Sequence, residues 1–125
     1  MEPSESISIE VFPEYLEEQS DPEDERYVFS YHIIINNLGD QAATLRSRHW
    51  YITNGNADVQ EVKGDGVVGE QPRIQANDYF EYSSGAVLST PVGSMRGYYV
   101  MENDDGFLFH ASIPVFTLAA THALN

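Results

Sequence analysis

The chain has 125 residues, 42% hydrophobic and 12% aromatic, enough for one domain with a two-layer core and too few for a second independent unit. Six Lys and Arg against twenty Asp and Glu give a net charge of −14, which repels nucleic acid phosphates and anionic membrane surfaces, so neither is expected as a partner. No cysteine is present, which excludes disulfides, thiolate metal sites and cysteine nucleophiles and is compatible with a reducing compartment. The start, Met1-Glu2-Pro3-Ser4-Glu5, offers neither a basic nor an apolar signal segment, and no apolar run approaches a membrane span. A cytoplasmic protein is expected.

In chain order, Ser6 to Phe12 alternates at period two with Ile7, Ile9 and Val11 on one face, the pattern of a half-buried strand. Ten of the twenty carboxylates fall in the first 25 residues, and Glu14 to Glu25 is acidic, punctuated by Pro13 and Pro22 and without the central glycine of a calcium loop. A mobile, solvated loop over 14–25 is expected. Tyr27, Phe29, Tyr31, Ile33 and Ile35 share one parity in the strongest strand, which ends at a turn in Asn37-Leu38-Gly39-Asp40. Ala43 to Asn54 resumes strand character, but Leu45 and Trp50 have opposite parity, so a bulge is predicted near Ser47. Asn54-Gly55 then turns the chain into a partner strand over Ala57 to Lys63.

Gly64-Asp65-Gly66-Val67-Val68-Gly69-Glu70-Gln71-Pro72 interrupts the strand pattern with three glycines and a proline. Beyond it, Tyr79 to Tyr82, Gly97 to Glu102 and Phe107 to Ile113 read as strands, with Ser84-Gly85, Thr90-Pro91 and Val92-Gly93 as turn signals between short pieces. About seven to eight short strands without a helical face predict an all-β, Greek-key β-sandwich of immunoglobulin or fibronectin type III shape without the disulfide. One domain spans 1–125, with 119–125 as a C-terminal tail, and its core is predicted to contain Phe29, Tyr31, Ile33, Trp50, Ile52, Phe80, Tyr99, Met101, Phe109 and Ile113.

Several blocks occur in an order that resembles the ApaG family: Ser47-Arg48-His49-Trp50, Glu61-Val62, the Gly64 to Pro72 loop, Phe80-Glu81-Tyr82-Ser83-Ser84-Gly85, Thr90-Pro91 with Gly93, Met95 with Gly97, Tyr99 and Met101, and Ile113-Pro114 with Phe116. The resemblance runs from roughly the first strand to Leu118. It implies a small bacterial protein with a fibronectin type III-like sandwich, related to domains of some F-box proteins and of a polymerase-delta-interacting protein, where the domain is thought to mediate protein contacts. It supplies no catalytic residues. The family name reflects gene linkage to diadenosine tetraphosphate hydrolysis. One departure is Asn77-Asp78, where relatives usually carry Pro-Gly; this pair is also turn-competent.

Gly64, Gly66 and Gly69 match G-x-G-x-x-G, yet a dinucleotide site needs the third glycine to open a helix within a βαβ unit, and only Arg73 to Asp78 separate Pro72 from the next strand. Asp65 and Glu70 also place negative charge where a phosphate would lie. The simpler reading is structural: the glycines permit positive φ, and Val67 and Val68 plug the underside of the loop. An anion nest would recruit Lys63 or Arg73. His32, His49, His110 and His122 lack a metal-ligand spacing, and Ser84, Ser89 and Ser94 lack a nucleophile context, so neither a metal site nor a catalytic residue is expected. Arg48 shares the inward parity of Trp50, which calls for a buried partner such as Glu61 or Glu81 or for the bulge.

The sequence thus favours a non-catalytic protein-interaction module without a cofactor. Its candidate binding residues are Lys63, Gly64, Asp65, Gly66, Val67, Val68, Gly69, Glu70, Gln71, Pro72 and Arg73, facing a protein partner, and a homodimer is compatible with it. The alternatives are a small-anion, pyrophosphate or nucleotide-binding protein using the same loop, or a role in divalent cation tolerance.

Overall fold

The computed structural model describes residues 3–121. Eight strands run β1 (Ile7–Tyr15), β2 (Tyr27–Asn37), β3 (Ala43–Asn54), β4 (Val59–Asp65), β5 (Arg73–Ile74), β6 (Tyr79–Leu88), β7 (Val92–Asn103) and β8 (Leu108–Ala119). They form two antiparallel sheets, β1-β2-β6 and β4-β3-β7-β8, with β5 pairing with β3 on the edge that β4 also uses. The all-β sandwich expected from the alternation is the architecture of the chain.

Burial follows the sequence pattern most closely in β2, where Phe29, Tyr31, Ile33 and Ile35 point into the core. They meet Leu45 and Trp50 of β3, Tyr99 and Met101 of β7 and Phe109, Ala111 and Ile113 of β8. Trp50 sits edge-on to Tyr31, Tyr99 and Phe116 at ring separations of 5.5, 6.4 and 6.0 Å, contacts worth about 0.5–1.5 kcal/mol each beyond area burial. Ile52 and Phe80 only line the core's margin and are partly buried. The bulge predicted in β3 is present: the register with β7 shifts between Leu45 and Ser47, which puts both Leu45 and Trp50 inside.

Several boundaries differ from the alternation. The partner strand expected over Ala57 to Lys63 is β4, which starts at Val59, because Ala57 is held in the turn at φ 66°, and runs on to Asp65. β1 continues past Phe12 to Tyr15, which pairs with Phe29, because Pro13 is tolerated on an edge strand whose other side has no partner strand among the described residues. Glu14 and Tyr15 therefore belong to the sheet, and the acidic connection proper starts at Leu16 and makes single 3-10 turns at Glu17–Gln19 and Pro22–Asp24. Ser84-Gly85 is no turn; it lies within a continuous β6, paired with Tyr31 and Ser30. Val92-Gly93 already belongs to β7, so the β6 to β7 connection is only Ser89 to Pro91. At the C-terminus Ala119 pairs with Val92 and the Ala120 amide donates to the Pro91 carbonyl at 2.8 Å, while residues 122–125 of the expected tail lie outside the described residues.

The two sheets differ in width. β1 lies beside β8 and closes one side of the sandwich. On the other side the three-stranded sheet ends at β6, whereas the larger sheet continues through β3 to β4. The inward face of β4 consequently has no strand over it among the described residues: Val62 is half-buried and Gln60 exposed.

Candidate functional site

The glycine loop leaves and rejoins the same edge of β3. β4 pairs with β3 as far as Ser47, so Gly64 and Asp65 still belong to the sheet; β5 takes up Ala43 and Thr44, and Gly66 to Pro72 bridges the gap opposite the bulge. The Gly66 amide donates to the Arg46 carbonyl at 2.9 Å and the Leu45 amide to the Pro72 carbonyl at 2.9 Å. Arg46 and Gln71 clasp each other from both ends, through Arg46 Nη1 to Gln71 Oε1 at 3.2 Å and Gln71 Nε2 to the Arg46 carbonyl at 3.1 Å.

At the loop's tip, Val67 and Glu70 exchange amide to carbonyl bonds of 2.8 and 2.9 Å around Val68 and Gly69, whose φ values of 44° and 82° make a type I′ turn. Val67 enters the core and is 1% exposed, but Val68, expected beneath the loop, points out at 57% exposure. Two adjacent left-handed residues reverse the chain, so only one of the two valines can reach the core.

Arg48 faces inward, as its parity requires. Its partners are neither Glu61 nor Glu81: Nη1 donates to the Asp65 carbonyl at 3.0 Å and to the Gly66 carbonyl at 2.9 Å. Glu61 and Glu81 lie on the outward parities of β4 and β6, paired with Tyr51 and Ile34, out of reach of an inward side chain. Gly64, opposite Arg48, leaves room for the guanidinium, since a Cβ there would lie 2.7 Å from Cζ.

The carbonyls of Asp65 and Gly66, the Gly66 amide and the Gln71 side chain are therefore taken up by β3, and the Val67 and Glu70 backbone by the turn. The two cations that an anion would recruit are engaged as well. Lys63 Nζ is 3.2 Å from Glu61 Oε1, and Arg73 grips Asp104 through two bonds of 2.5 and 3.1 Å. The Lys63 ammonium is the main reason the Glu61 carboxyl is held below the usual carboxylate range, and the Arg73 guanidinium does the same for Asp104. Pro72 leads into β5, not a helix, so the glycine motif lacks the helix N-terminus that a pyrophosphate would need.

A cleft of about 600 Å³ opens beside the loop, between β4 and β6, on the side where the sheets differ in width. Trp50 and Val62 line its large-sheet wall, Ser84 and Ala86 its small-sheet wall, and Val67 and Val68 its end. A tyrosine group sits at its base: the Tyr82 and Tyr99 hydroxyls share a 2.5 Å hydrogen bond. Burial pushes the phenol pKa of Tyr31, Tyr82 and Tyr99 above its ordinary value; the Ser84 hydroxyl opposes the shift at Tyr31. Reading Ser84-Gly85 as a turn hides this wall, and the signal for it is β-parity carried through Phe80, Tyr82, Ser84 and Ala86.

A second group unforeseen from sequence lies on the outer face of the large sheet. His49 stacks on Tyr51 at 4.7 Å and meets Tyr98 at a tilt at 4.9 Å, and Tyr98 stacks on His110 at 4.3 Å. His49 Nδ1 shares a 2.9 Å bond with the Tyr98 hydroxyl, while Nε2 comes within 2.8 Å of Glu61 Oε1 without the alignment of a hydrogen bond. His32 contacts Ser83 and Glu81 on the opposite surface, and His122 lies outside the described residues. Among the described residues no three His, Asp or Glu side chains converge to hold a metal ion, and no helix is long and apolar enough to cross a membrane.

The architecture and the loop can be set beside known proteins. Residues 17–103 match the ApaG domain model. The chain belongs to the ApaG family. Protein ApaG from Thiobacillus denitrificans is 57% identical over 95% of this chain and 94% of its own length, and that from Dechloromonas aromatica is 50% identical over the same shares. A Bordetella pertussis protein whose crystal structure carries the name ApaA is 46% identical, with a TM-score of 0.90 over 93% of this chain and 94% of that one.

Proposed function

We propose that this ApaG-family protein is a non-catalytic protein-interaction module that presents the Val68 turn and the adjoining cleft to a partner. The observation that carries the reading is Val68 itself. A β-branched residue held at φ 44° is strained, and at 57% exposure it gains little from burial, so the position is unfavourable both locally and in solvent. Val68 sits in a doubly hydrogen-bonded turn beside a cleft whose lining mixes Val62 and Ala86 with Arg48, Asp65 and Ser84, as a contact residue on a fixed scaffold would. Small-anion, pyrophosphate or nucleotide binding gains no support, because Lys63, Arg73 and Arg48 are all committed within the chain.

Affinity capture from the native cell with wild type and Val68→Asn tests this. Asn tolerates the left-handed turn, so the variant should unfold at a higher temperature and yet retain less of any specific partner. Equal retention by the two proteins, or saturable shifts over Lys63 to Arg73 with pyrophosphate or diadenosine tetraphosphate, would go against the reading.

A further inference from the structure

Among the described residues four strands longer than the two-residue β5 flank the sandwich, and three of them are guarded against pairing with a further strand. β1 carries Pro13; β8 carries Pro114 beside a register shift; β4 is seven residues long, holds Lys63 and runs into the glycine loop. Proline, lysine, irregularity and shortness all discourage strand addition. β6 has none of these devices: it is ten residues long, contains neither proline nor lysine, and pairs with β2 in unbroken register from Tyr79 to Leu88. Among the described residues only β2 is bonded to it as a strand, so its other edge offers unpaired backbone groups from Glu81 to Val87, while the Tyr79 amide donates to Asp78 Oδ1 at 2.8 Å.

That free edge points into the place where a strand is missing. The large sheet runs out to β4 while the small sheet stops at β6, leaving a cleft of about 600 Å³ over Val62 and Gln60. A fourth strand added to the small sheet beyond β6 would lie opposite β4 and cover Trp50, Ile52 and Val62. Val68 and Val87, exposed at 57% and 49%, line the same opening, and Val59, exposed at 57%, lines its continuation past Ile52.

We propose that an extended segment of a cationic protein partner adds to β6 as the fourth strand of the small sheet, with alternate apolar side chains turned into the cleft and Lys or Arg turned outward. Charge selects the occupant. A second copy of this chain would bring another −14, whereas basic side chains would lie near Glu81, on the outward face of β6, and near Asp58 and Asp65, which line the cleft and its continuation. Backbone pairing supplies the affinity and the alternate pockets the selectivity of such strand addition. The proposal rests on the interaction-module reading and specifies its partner.

The test titrates the intact, isotopically labelled protein with a capped seven-residue peptide of alternating lysine and valine. The control is the same peptide N-methylated at alternate residues, which keeps charge and composition but blocks one hydrogen-bonding edge. Saturable amide shifts confined to β6, β4 and the Val68 turn are expected. Binding should weaken by about tenfold with the methylated peptide and with Val87→Lys, an exposed change that guards the edge without disturbing the core. Equal binding of both peptides, shifts centred on the acidic 16–25 connection, or no saturable binding would overturn the proposal. Burial of β6 in a homodimer, read from translational diffusion, would also overturn it. The module reading survives these failures if Val68→Asn still loses the cellular partner, and it falls separately if that variant retains the partner in full.

Discussion

The guanidinium of Arg48 donates to the Gly66 carbonyl at 2.9 Å, so an inward side chain of β3 fastens the loop that closes the end of the sandwich. The same Nη1 reaches the Asp65 carbonyl, and among the described residues no acidic side chain shares the interaction. Arg48 is therefore a structural clamp whose charge is satisfied by backbone dipoles.

Replacing Arg48 by Met should cost about 2 kcal/mol, the range for hydrogen bonds that involve a charged group, and Arg48→Lys about half as much. Glu61→Gln and Glu81→Gln should leave stability within about 0.5 kcal/mol, since neither carboxylate meets the guanidinium. Urea unfolding of the four variants checks the ordering.

The glycines of the loop should separate by local geometry. At Gly66, with φ 61°, a Cβ would lie 2.1 Å from the Glu70 carbonyl oxygen, so Gly66→Ala must displace backbone and should cost upwards of about 2 kcal/mol. At Gly69, with φ 82°, none of the described residues comes within 4 Å of the added Cβ; Gly69→Ala should cost only the left-handed penalty, about 1 kcal/mol. Asp65→Asn keeps the carbonyl that Arg48 uses and should be nearly neutral. Thermal melts of the three variants give the comparison, and a Gly66→Ala protein as stable as Gly69→Ala would contradict it.

Much of this architecture is legible in the amino-acid sequence, and the exceptions have physical causes. The alternation of Tyr27 to Ile35 sets a core face because a strand buried on one side admits only one parity, and the clash of Leu45 with Trp50 reveals the bulge for the same reason. Arg48 stands out by parity, but parity does not name its partner. The carbonyls it meets lie at the end of β4, where Asp65 pairs with Ser47 and the Gly66 amide turns back to the Arg46 carbonyl, a place where the period-two pattern has already stopped. Ser84-Gly85 misleads because turn propensity is local, whereas tertiary pairing with β2 decides the outcome there. The open cleft depends on unequal sheet widths, a property of strand order that alternation does not encode.

Alkaline pH should weaken the fold through the buried tyrosines. The phenol pKa values of Tyr31, Tyr82 and Tyr99 are raised in the folded state, chiefly by burial. The unfolded chain releases these protons near pH 10 while the folded one holds them, so the stabilisation is complete below about pH 10 and declines as pH rises further. Each such group contributes up to about 1.4 kcal/mol of loss per pH unit in that window. Urea midpoints at pH 8, 10 and 11 should fall in the last interval, and the fall should be shallower for Tyr82→Phe; parallel slopes would count against the assignment.

Ser20 fastens the acidic connection between β1 and β2 from its side chain, beside the Leu16 amide's 2.8 Å bond to the Val28 carbonyl. Its hydroxyl donates to the Leu16 carbonyl at 2.8 Å and accepts from the Val28 amide at 2.9 Å, pinning both ends of a segment in which Glu17 to Gln19 and Asp21 to Arg26 are all exposed. With no apolar side chain of its own in the core, the segment can open without disturbing the sheets, and low protection is expected for the Glu23 and Glu25 amides against high protection at Phe29 and Ile33. Ser20→Ala removes both hydroxyl tethers. It should raise amide exchange across Leu16 to Val28 by about tenfold, the loss of roughly one hydrogen bond's net worth, while leaving Ile33 unchanged. If exchange at Ile33 rises in parallel with that at Glu23, the connection opens only with the whole domain and is an integral part of its cooperative unit.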